Sequence, residues 1–230
     1  MLLSIIIPTR NEAATIANVI ADVRLYGGKA VAQVLVVDGG STDQTVAVAQ
    51  QAGATVLSSP RLGRAAQMNL GARHATGDVL YFVHADVRLH PDFVGDIHNA
   101  LNSGYAAGRY RFRFDADLPW LLRLNSYATR FGGAASRGGD QTLFITRPLF
   151  EQLGGFDEGY VIMEDFDMIR RIEAAAVPFA IIPKNVIVSA RKYQQNGWLR
   201  VQLANLLAVI LFSCRVSPMR IAKTYKTLLR

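Results

Sequence analysis

Short apolar, β-branched runs alternate with segments of helical periodicity over the first hundred residues. In one such segment Ile16, Val19, Ile20 and Val23 recur at helical spacing until Gly27 ends it. Apolar strands that alternate with amphipathic helices are typical of a parallel sheet covered by helices on both faces. The predicted strands of this half are 3–7, 34–37, 55–57 and 79–83, and its further predicted helices are 41–52, 63–75 and 91–101.

The pattern changes after residue 104, where strands and helices no longer alternate strictly. A chain of 230 residues without internal repeats is expected to form one domain with an appendage. We divide it into an α/β domain over 1–190, with halves 1–104 and 105–190, and basic, apolar C-terminal helices over 191–230. The predicted strands are 105–114, 141–145, 179–183 and 186–188, and the predicted helices are 118–131, 164–175, 199–214 and 218–229.

Polar residues follow three of the predicted strands. They occupy positions 8–12, 38–43 and 84–86. Ligands of a doubly wound sheet bind outside the carboxyl ends of its strands, so the three clusters together predict one site. Each cluster alone has another interpretation, because Asn11 and Ser41 can cap helices, and Gly39, Gly40 and Asp86 can form turns.

The two common phosphate-binding sequence motifs are absent. No G-x-G-x-x-G follows the first strand, and no G-x-x-x-x-G-K-[ST] occurs in the chain. A metal ion held by a carboxylate is the usual substitute, since Mg²⁺ and Mn²⁺ take oxygen ligands and share them with a diphosphate. Asp86 is the candidate ligand.

Several of these segments together resemble family 2 glycosyltransferases with the GT-A fold. The resemblance spans about residues 3–175 and is closest to small bacterial, non-processive members with a His-Ala-Asp metal motif. It implies a three-layer α/β/α domain with a mostly parallel sheet. The segments that carry it are SIIIPTRNE at 4–12, VVDGGSTDQT at 36–45, Gly63-Arg64-Ala65, Asn69-x-Gly71, Gly77-Asp78, His84-Ala85-Asp86, Gly138-Gly139-Asp140-Gln141 and Glu164-Asp165.

The resemblance implies an inverting transfer of a sugar from a nucleotide diphosphate to an acceptor hydroxyl, helped by Mn²⁺ or Mg²⁺. Asp38 resembles the carboxylate that binds a pyrimidine base, and Arg64 matches a basic residue that reaches the nucleotide. Asp86 matches the metal-binding end of the D-x-D motif, whose first position is His84 here. His84 is a second candidate ligand, although a histidine beside a strand end is more often a structural residue. The implied nucleotide-binding residues are Pro8, Thr9, Arg10, Glu12, Asp38, Gly40, Ser41, Arg64 and Asp86.

An inverting displacement needs a general base on the acceptor hydroxyl. Asp165 matches the aspartate of the family's Glu-Asp motif, while Glu164 would position the acceptor or its loop. Asp165 also opens a predicted helix, where a carboxylate is favoured for capping alone. The resemblance places Gly139, Asp140 and Gln141 on the acceptor and donor-sugar side. Arg191 and Lys192 follow the last strand, where they could close over the diphosphate as a lid or remain solvated.

The charge of the chain is concentrated at its C-terminal end. The net charge is +7, and the residues after Glu173 carry nine positive and no negative charges. A basic tail on a nearly neutral body argues against a general nucleic-acid binder and predicts a local anionic contact. Residues 199–214 are apolar at 12 of 16 positions, so they would pack on the body, form a homodimer or lie on an anionic membrane.

The remaining expectations concern location and turnover. One cysteine, Cys214, leaves no pair for a disulfide, and the chain opens without a secretion signal, so we expect a cytoplasmic protein, peripheral at the inner face of the plasma membrane if the tail binds lipid. The absence of Q-x-x-R-W predicts one sugar per encounter, from a donor that is UDP-linked by preference. The expected acceptor presents a hydroxyl or a phosphate, and a lipid-linked acceptor is one form of this expectation. The alternatives are a nucleotidyltransferase, a nucleotide-sugar hydrolase, and a binding protein without turnover.

Overall fold

The computed structural model describes residues 1–115 and 142–229 of the chain. The predicted helix over 118–131 therefore lies outside the described residues. The remaining predicted elements are found, mostly within two residues of their expected ends. The strands are β1 (Leu3–Thr9), β2 (Val31–Asp38), β3 (Thr55–Ser58), β4 (Val79–Phe82), β5 (Val87–Arg88), β6 (Ala107–Phe114), β7 (Leu143–Thr146) and β8 (Phe179–Val188).

The eight strands form one sheet in the order β3-β2-β1-β4-β7-β6-β8-β5. Strand β1 pairs in parallel with β2 and with β4, and β2 pairs in parallel with β3. Strand β7 is antiparallel to both of its neighbours, β4 and β6. Because β7 lies between them, the sheet is continuous across the predicted division at residue 104.

Helices cover both faces of the sheet, which confirms the predicted three-layer α/β/α architecture. The side chains of a strand alternate between faces, so Ile5 and Ile7 lie in one buried cluster while Ile6 lies in the other. The described helices are α1 (Ile16–Gly27), α2 (Thr45–Gln51), α3 (Arg64–His74), α4 (Phe93–Asn102), α5 (Arg147–Gln152), α6 (Glu164–Ala174), α7 (Arg191–Asn196), α8 (Trp198–Ser213) and α9 (Pro218–Leu228).

Three local predictions differ from the structure. The helix predicted over 41–52 begins at Thr45, and Ser41 bonds to Asp38 instead of capping it. The strands predicted over 179–183 and 186–188 are one strand, β8, with an irregularity at Pro183, where Tyr110 pairs with Ile182 but Arg111 pairs with Asn185. Asn11 was a candidate cap of α1, but this helix begins at Ile16, and within the described part of the chain its N-cap residue, Thr15, makes no capping hydrogen bond with its side chain. Asn11 has a left-handed backbone (φ 56°) and joins two loops instead.

The C-terminal helices pack against the body of the domain. Phe212 of α8 and Ile221 of α9 form a buried cluster with Met163, the residue that precedes α6. Phe166 of α6 packs against the same cluster. No helix of the described residues is both long enough and apolar enough to span a membrane.

Candidate active site

The ends of β1, β2 and β4 meet at one edge of the sheet, as the sequence predicts. Thr9 and Asp38 are paired at the ends of their strands. Ile6 is paired with Phe82, and the polar turn from His84 to Asp86 follows that strand end directly. Three polar segments that are far apart in sequence therefore lie side by side.

Hydrogen bonds join the loops that follow β1 and β2. The Asp38 carboxylate accepts hydrogen bonds from the backbone N–H of Gly40 (2.9 Å) and from the N–H and hydroxyl of Ser41. The Ser41 hydroxyl also accepts from the N–H of Asn11 at 2.9 Å, and the Asn11 side chain accepts from the N–H of Thr42 at 2.8 Å. Asp38 thus shapes its own loop, and contact of this carboxylate with a base stays a prediction.

Gln67 of α3 is hydrogen-bonded to the ends of the same two strands, β1 and β2. Its side-chain amide donates to the carbonyl oxygen of Thr9 at 2.8 Å and to that of Val37 at 2.7 Å. The side chain is buried, and a Cβ on Gly39 would lie within 3.1 Å of three of its atoms. The sequence interpretation missed Gln67; a polar residue on the inward face of an otherwise apolar helix segment was the signal available.

We expect Gln67→Met to destabilise the fold by about 1–3 kcal/mol, because the buried carbonyl oxygens of Thr9 and Val37 each lose one hydrogen bond. Urea denaturation measures the loss, with Gln50→Met as the matched control. Gln50 is exposed on α2, so its replacement is expected to change the free energy of unfolding by less than about 0.5 kcal/mol. Equal stability of the two variants would contradict a structural role for Gln67.

Glu164 forms an ion pair with Arg64, whose side chain is 38% exposed. Arg64 Nε lies 2.7 Å from Glu164 Oε1, and the Glu164 side chain is fully buried. Among the described residues, neither carboxylate oxygen accepts a well-aligned hydrogen bond. Arg64 opens α3 and Glu164 opens α6, so this pair joins the first turns of two helices and fixes the direction of the guanidinium. Glu164 is therefore placed to position Arg64.

Asp165 lies beside His84. His84 Nε2 is 4.0 Å from Asp165 Oδ2, and both side chains are mostly buried, with 13% and 14% of their surface exposed.

The backbone that leads into Asp165 is strained. Met163, two residues before Asp165, has a left-handed backbone (φ 72°) although it is not glycine. Such a conformation costs about 1–3 kcal/mol and persists only where surrounding packing fixes it, which here is the cluster with Phe212 and Ile221.

Arg191 forms a two-point ion pair with Glu12. Its guanidinium donates to the two carboxylate oxygens at 2.6 and 3.2 Å. This hydrogen bonding, aided by the charge of Asp86, raises the pKa of the Arg191 guanidinium. The side chain predicted to cover a diphosphate thus stands at the edge of the site, within the field of Asp86.

The other predicted residues occupy different surroundings. Lys192 also lies in α7, but its ammonium group is 5.1 Å from the centre of the Tyr225 ring. Pro8 is buried within β1, whereas Arg10 is exposed in the following loop. Gly40 has φ 81°, a conformation that glycine adopts without strain. Gly139, Asp140 and Gln141 lie outside the described residues.

The arrangement fits a divalent cation shared with a bound diphosphate. Mg²⁺ is commonly held by one or two carboxylates together with substrate phosphates. Asp86 provides a half-buried carboxylate whose charge acts on the Arg191 guanidinium, and its backbone lies with that of His84 in the turn after β4. Within the described ranges no three His, Cys, Asp or Glu side chains form a metal cluster.

The fold and the strand-end site define a GT-A-like α/β protein. Residues 4–156 match the model of glycosyl transferase family 2, and the chain belongs to this family. The predicted family is confirmed, whereas the small His-Ala-Asp subgroup stays a prediction.

Related proteins agree with this family. An uncharacterised glycosyltransferase of Mycobacterium tuberculosis is 28% identical over 192 residues, which cover 77% of this chain and 71% of the relative. Glucosyl-3-phosphoglycerate synthase of the same organism is 29% identical over 162 residues, 66% of this chain and 48% of the synthase. The chain thus spans about half of that relative, and a match to a Rickettsia felis glycosyltransferase covers 32% of its length.

Solved structures of a synthase and of a mannosyltransferase share the fold. The synthase from M. tuberculosis in complex with Mg²⁺ and UDP has a TM-score of 0.64 at 20% identity, covering 90% of this chain and 79% of that one. A mannosyltransferase from Pyrobaculum calidifontis in complex with GDP-Man and Mn²⁺ has a TM-score of 0.72 at 21% identity, covering 98% and 69%.

Proposed function

We propose that this protein is an inverting glycosyltransferase that moves one sugar per encounter from a nucleotide-diphosphate sugar to an acceptor. The donor is UDP-linked by preference, and the acceptor presents a hydroxyl or a phosphate. One observation carries the proposal: two ion pairs join helices α3 and α6 and the turn after β4 at one edge of the sheet. The pair Arg64–Glu164 brings the Arg64 guanidinium there. The pair His84–Asp165 brings the Asp165 carboxylate beside the turn that contains Asp86. The nucleotides and divalent ions bound by the two structural neighbours support it.

In this proposal the loops after β1 and β2 hold the nucleoside. Glycosyl transfer leaves a nucleoside diphosphate, so the site has to offset negative charge that grows on the leaving group. Arg64, oriented by its buried partner Glu164, is placed to contribute a fixed positive charge. Asp86, with His84 as a second candidate, would hold Mn²⁺ or Mg²⁺, which would supply Lewis-acid stabilisation of the diphosphate.

Asp165 removes the proton from the attacking acceptor hydroxyl. A carboxylate that does this must lie on the side of the sugar opposite the leaving diphosphate. Asp165 stands at the first turn of α6, whose N-terminal N–H groups favour an ionised carboxylate. His84 opens the turn that contains Asp86, and its Nε2 lies 4.0 Å from Asp165 Oδ2, so it can orient Asp165 in addition to any contact with a metal.

Arg191 closes the other side of the site. In the structure it is bound to Glu12, and a diphosphate between them would offer the guanidinium a competing anion. In the proposed lid movement the Arg191 guanidinium leaves the Glu12 carboxylate and binds the diphosphate. A peripheral position at the inner face of the plasma membrane would suit a lipid-linked acceptor, and a homodimer through the C-terminal helices is the competing arrangement for that surface.

Proton NMR of the reaction tests this function. Wild-type protein is incubated with α-linked UDP- or GDP-sugars, Mn²⁺ and a panel of alcohols and phosphorylated acceptors. We expect release of nucleoside diphosphate together with a β-linked product. An α-linked product would overturn the inverting mechanism. Free sugar alone would indicate a hydrolase, nucleoside monophosphate with sugar phosphate would indicate cleavage of the diphosphate bond, and tight donor binding without product would indicate a binding protein.

A further inference from the structure

Helix α8 is apolar on two opposite faces. One face consists of Val201, Ala204, Ala208 and Phe212, all of which are buried. Phe212 also packs against Tyr160 and Phe166 of the body of the domain. A helix that is apolar all round is normally enclosed by protein or by lipid, so the second face needs a partner.

The second face is exposed. Leu199, Leu203, Leu206 and Ile210 follow one another at spacings of four, three and four residues, which places them in one row along the helix. Their exposed fractions are 73%, 47%, 57% and 46%. A single exposed leucine is ordinary, but a continuous row of four on one helix marks an interaction surface.

Positive charge surrounds this hairpin of helices. Arg200 and Arg215 flank the exposed row, and both are exposed. On α9, Met219 is 79% exposed, and the basic residues Arg220, Lys223 and Lys226 line a groove with it and Val161. No acidic residue occurs after Glu173, so no carboxylate from the C-terminal helices neutralises these charges.

We propose that the exposed row of α8, with Met219 and the basic residues of α9, docks on an anionic lipid surface. Leucine rows that enter the acyl boundary, together with Lys and Arg that meet anionic headgroups, characterise interfacial helices. A second copy of the chain fits less well, because a symmetric interface would bring the same positive charges of two copies together. This docking does not depend on the proposed transfer reaction.

The position of the docking surface relates it to the candidate site. Phe212 lies in the same buried cluster as Met163, and Met163 directly precedes Glu164 and Asp165. The lipid surface would therefore contact helices α8 and α9, which pack against Met163 just before Asp165. A lipid-linked acceptor would then reach the protein from the membrane side.

Vesicle flotation tests the docking without any enzymatic readout. The full chain is mixed with phosphatidylcholine vesicles that contain or lack phosphatidylglycerol, at low and at high salt. We expect flotation with the anionic vesicles, weakened by salt. Leu203→Glu combined with Leu206→Glu is expected to lower the partition coefficient more than tenfold. Combined Arg220→Ser, Lys223→Ser and Lys226→Ser should lower it at least tenfold, since each charge near the surface contributes about fivefold.

The matched control is Leu25→Glu on α1, an exposed leucine (72%) on another face of the domain. This variant should float like the wild type, and circular dichroism melts establish that all variants are folded. Equal flotation with neutral vesicles, no flotation at all, or full flotation of the Leu203/Leu206 variant would overturn the proposal. Analytical ultracentrifugation provides the other arm: a dimer abolished by the Leu203/Leu206 change would assign the surface to a second copy instead.

Discussion

Replacing Asp165 by asparagine is expected to lower kcat about 10²- to 10⁴-fold while leaving the affinity for the nucleotide donor within a few-fold of the wild type. The substitution keeps the size of the side chain and removes its capacity to accept a proton, and general-base catalysis contributes an effect of this size. Nucleotide contacts assigned to the strand-end loops and to Arg64 are unchanged. Steady-state kinetics with a fixed acceptor and varied donor separate kcat from KM.

Two controls make the Asp165 result specific. Glu151→Gln removes a carboxylate that is exposed on α5, and it should leave kcat unchanged. Raising the pH should not restore the asparagine variant, whereas a nucleophilic acceptor that needs no deprotonation, such as azide, should recover part of the lost rate. A decrease in kcat of less than about tenfold would mean that another group accepts the proton.

The strand-end cluster was predictable because it follows from topology. Parallel strands that alternate with helices place their carboxyl ends at one edge, so Thr9, Asp38 and His84 could be brought together before any contact was known. The two faces of the sheet followed from the same alternation, and Ile5, Ile6 and Ile7 divide between the two buried clusters accordingly.

Long-range pairings were beyond the sequence. Glu12 and Arg191 are 179 positions apart, and Arg64 meets Glu164 across 100 positions, so local periodicity carries no information about either contact. The resemblance placed Glu12, Arg64 and Glu164 in the site, and the position of Arg191 after the last strand suggested a lid over the diphosphate. The structure shows that they also neutralise one another, which sets the orientation of each charged group.

Irregular backbone was equally hard to foresee. Proline and lysine at 183–184 indicate a break between two strands. In the structure β8 pairs with β6 on both sides of this point, so the strand continues and only its register shifts. Asn11 favours helix caps on its own, but its partner is the N–H of Thr42 in a loop 31 positions away. In both places tertiary hydrogen bonding outweighs the local preference.

The most direct measurement of the central claim is calorimetric titration of UDP, GDP and CDP into the purified chain with Mn²⁺ and with chelator. It is run in parallel on Asp86→Ala and on Asp92→Asn, a control carboxylate that is exposed and pairs with Lys184.

Because Asp86 is the proposed carboxylate ligand of a cation shared with the diphosphate, we expect one nucleotide to bind with Mn²⁺. Chelator or Asp86→Ala should weaken that binding at least about tenfold. The Asp92 variant should behave like the wild type. Binding of no nucleotide, or binding that is indifferent to both chelator and Asp86, would contradict a metal-assisted nucleotide-sugar site at this sheet edge.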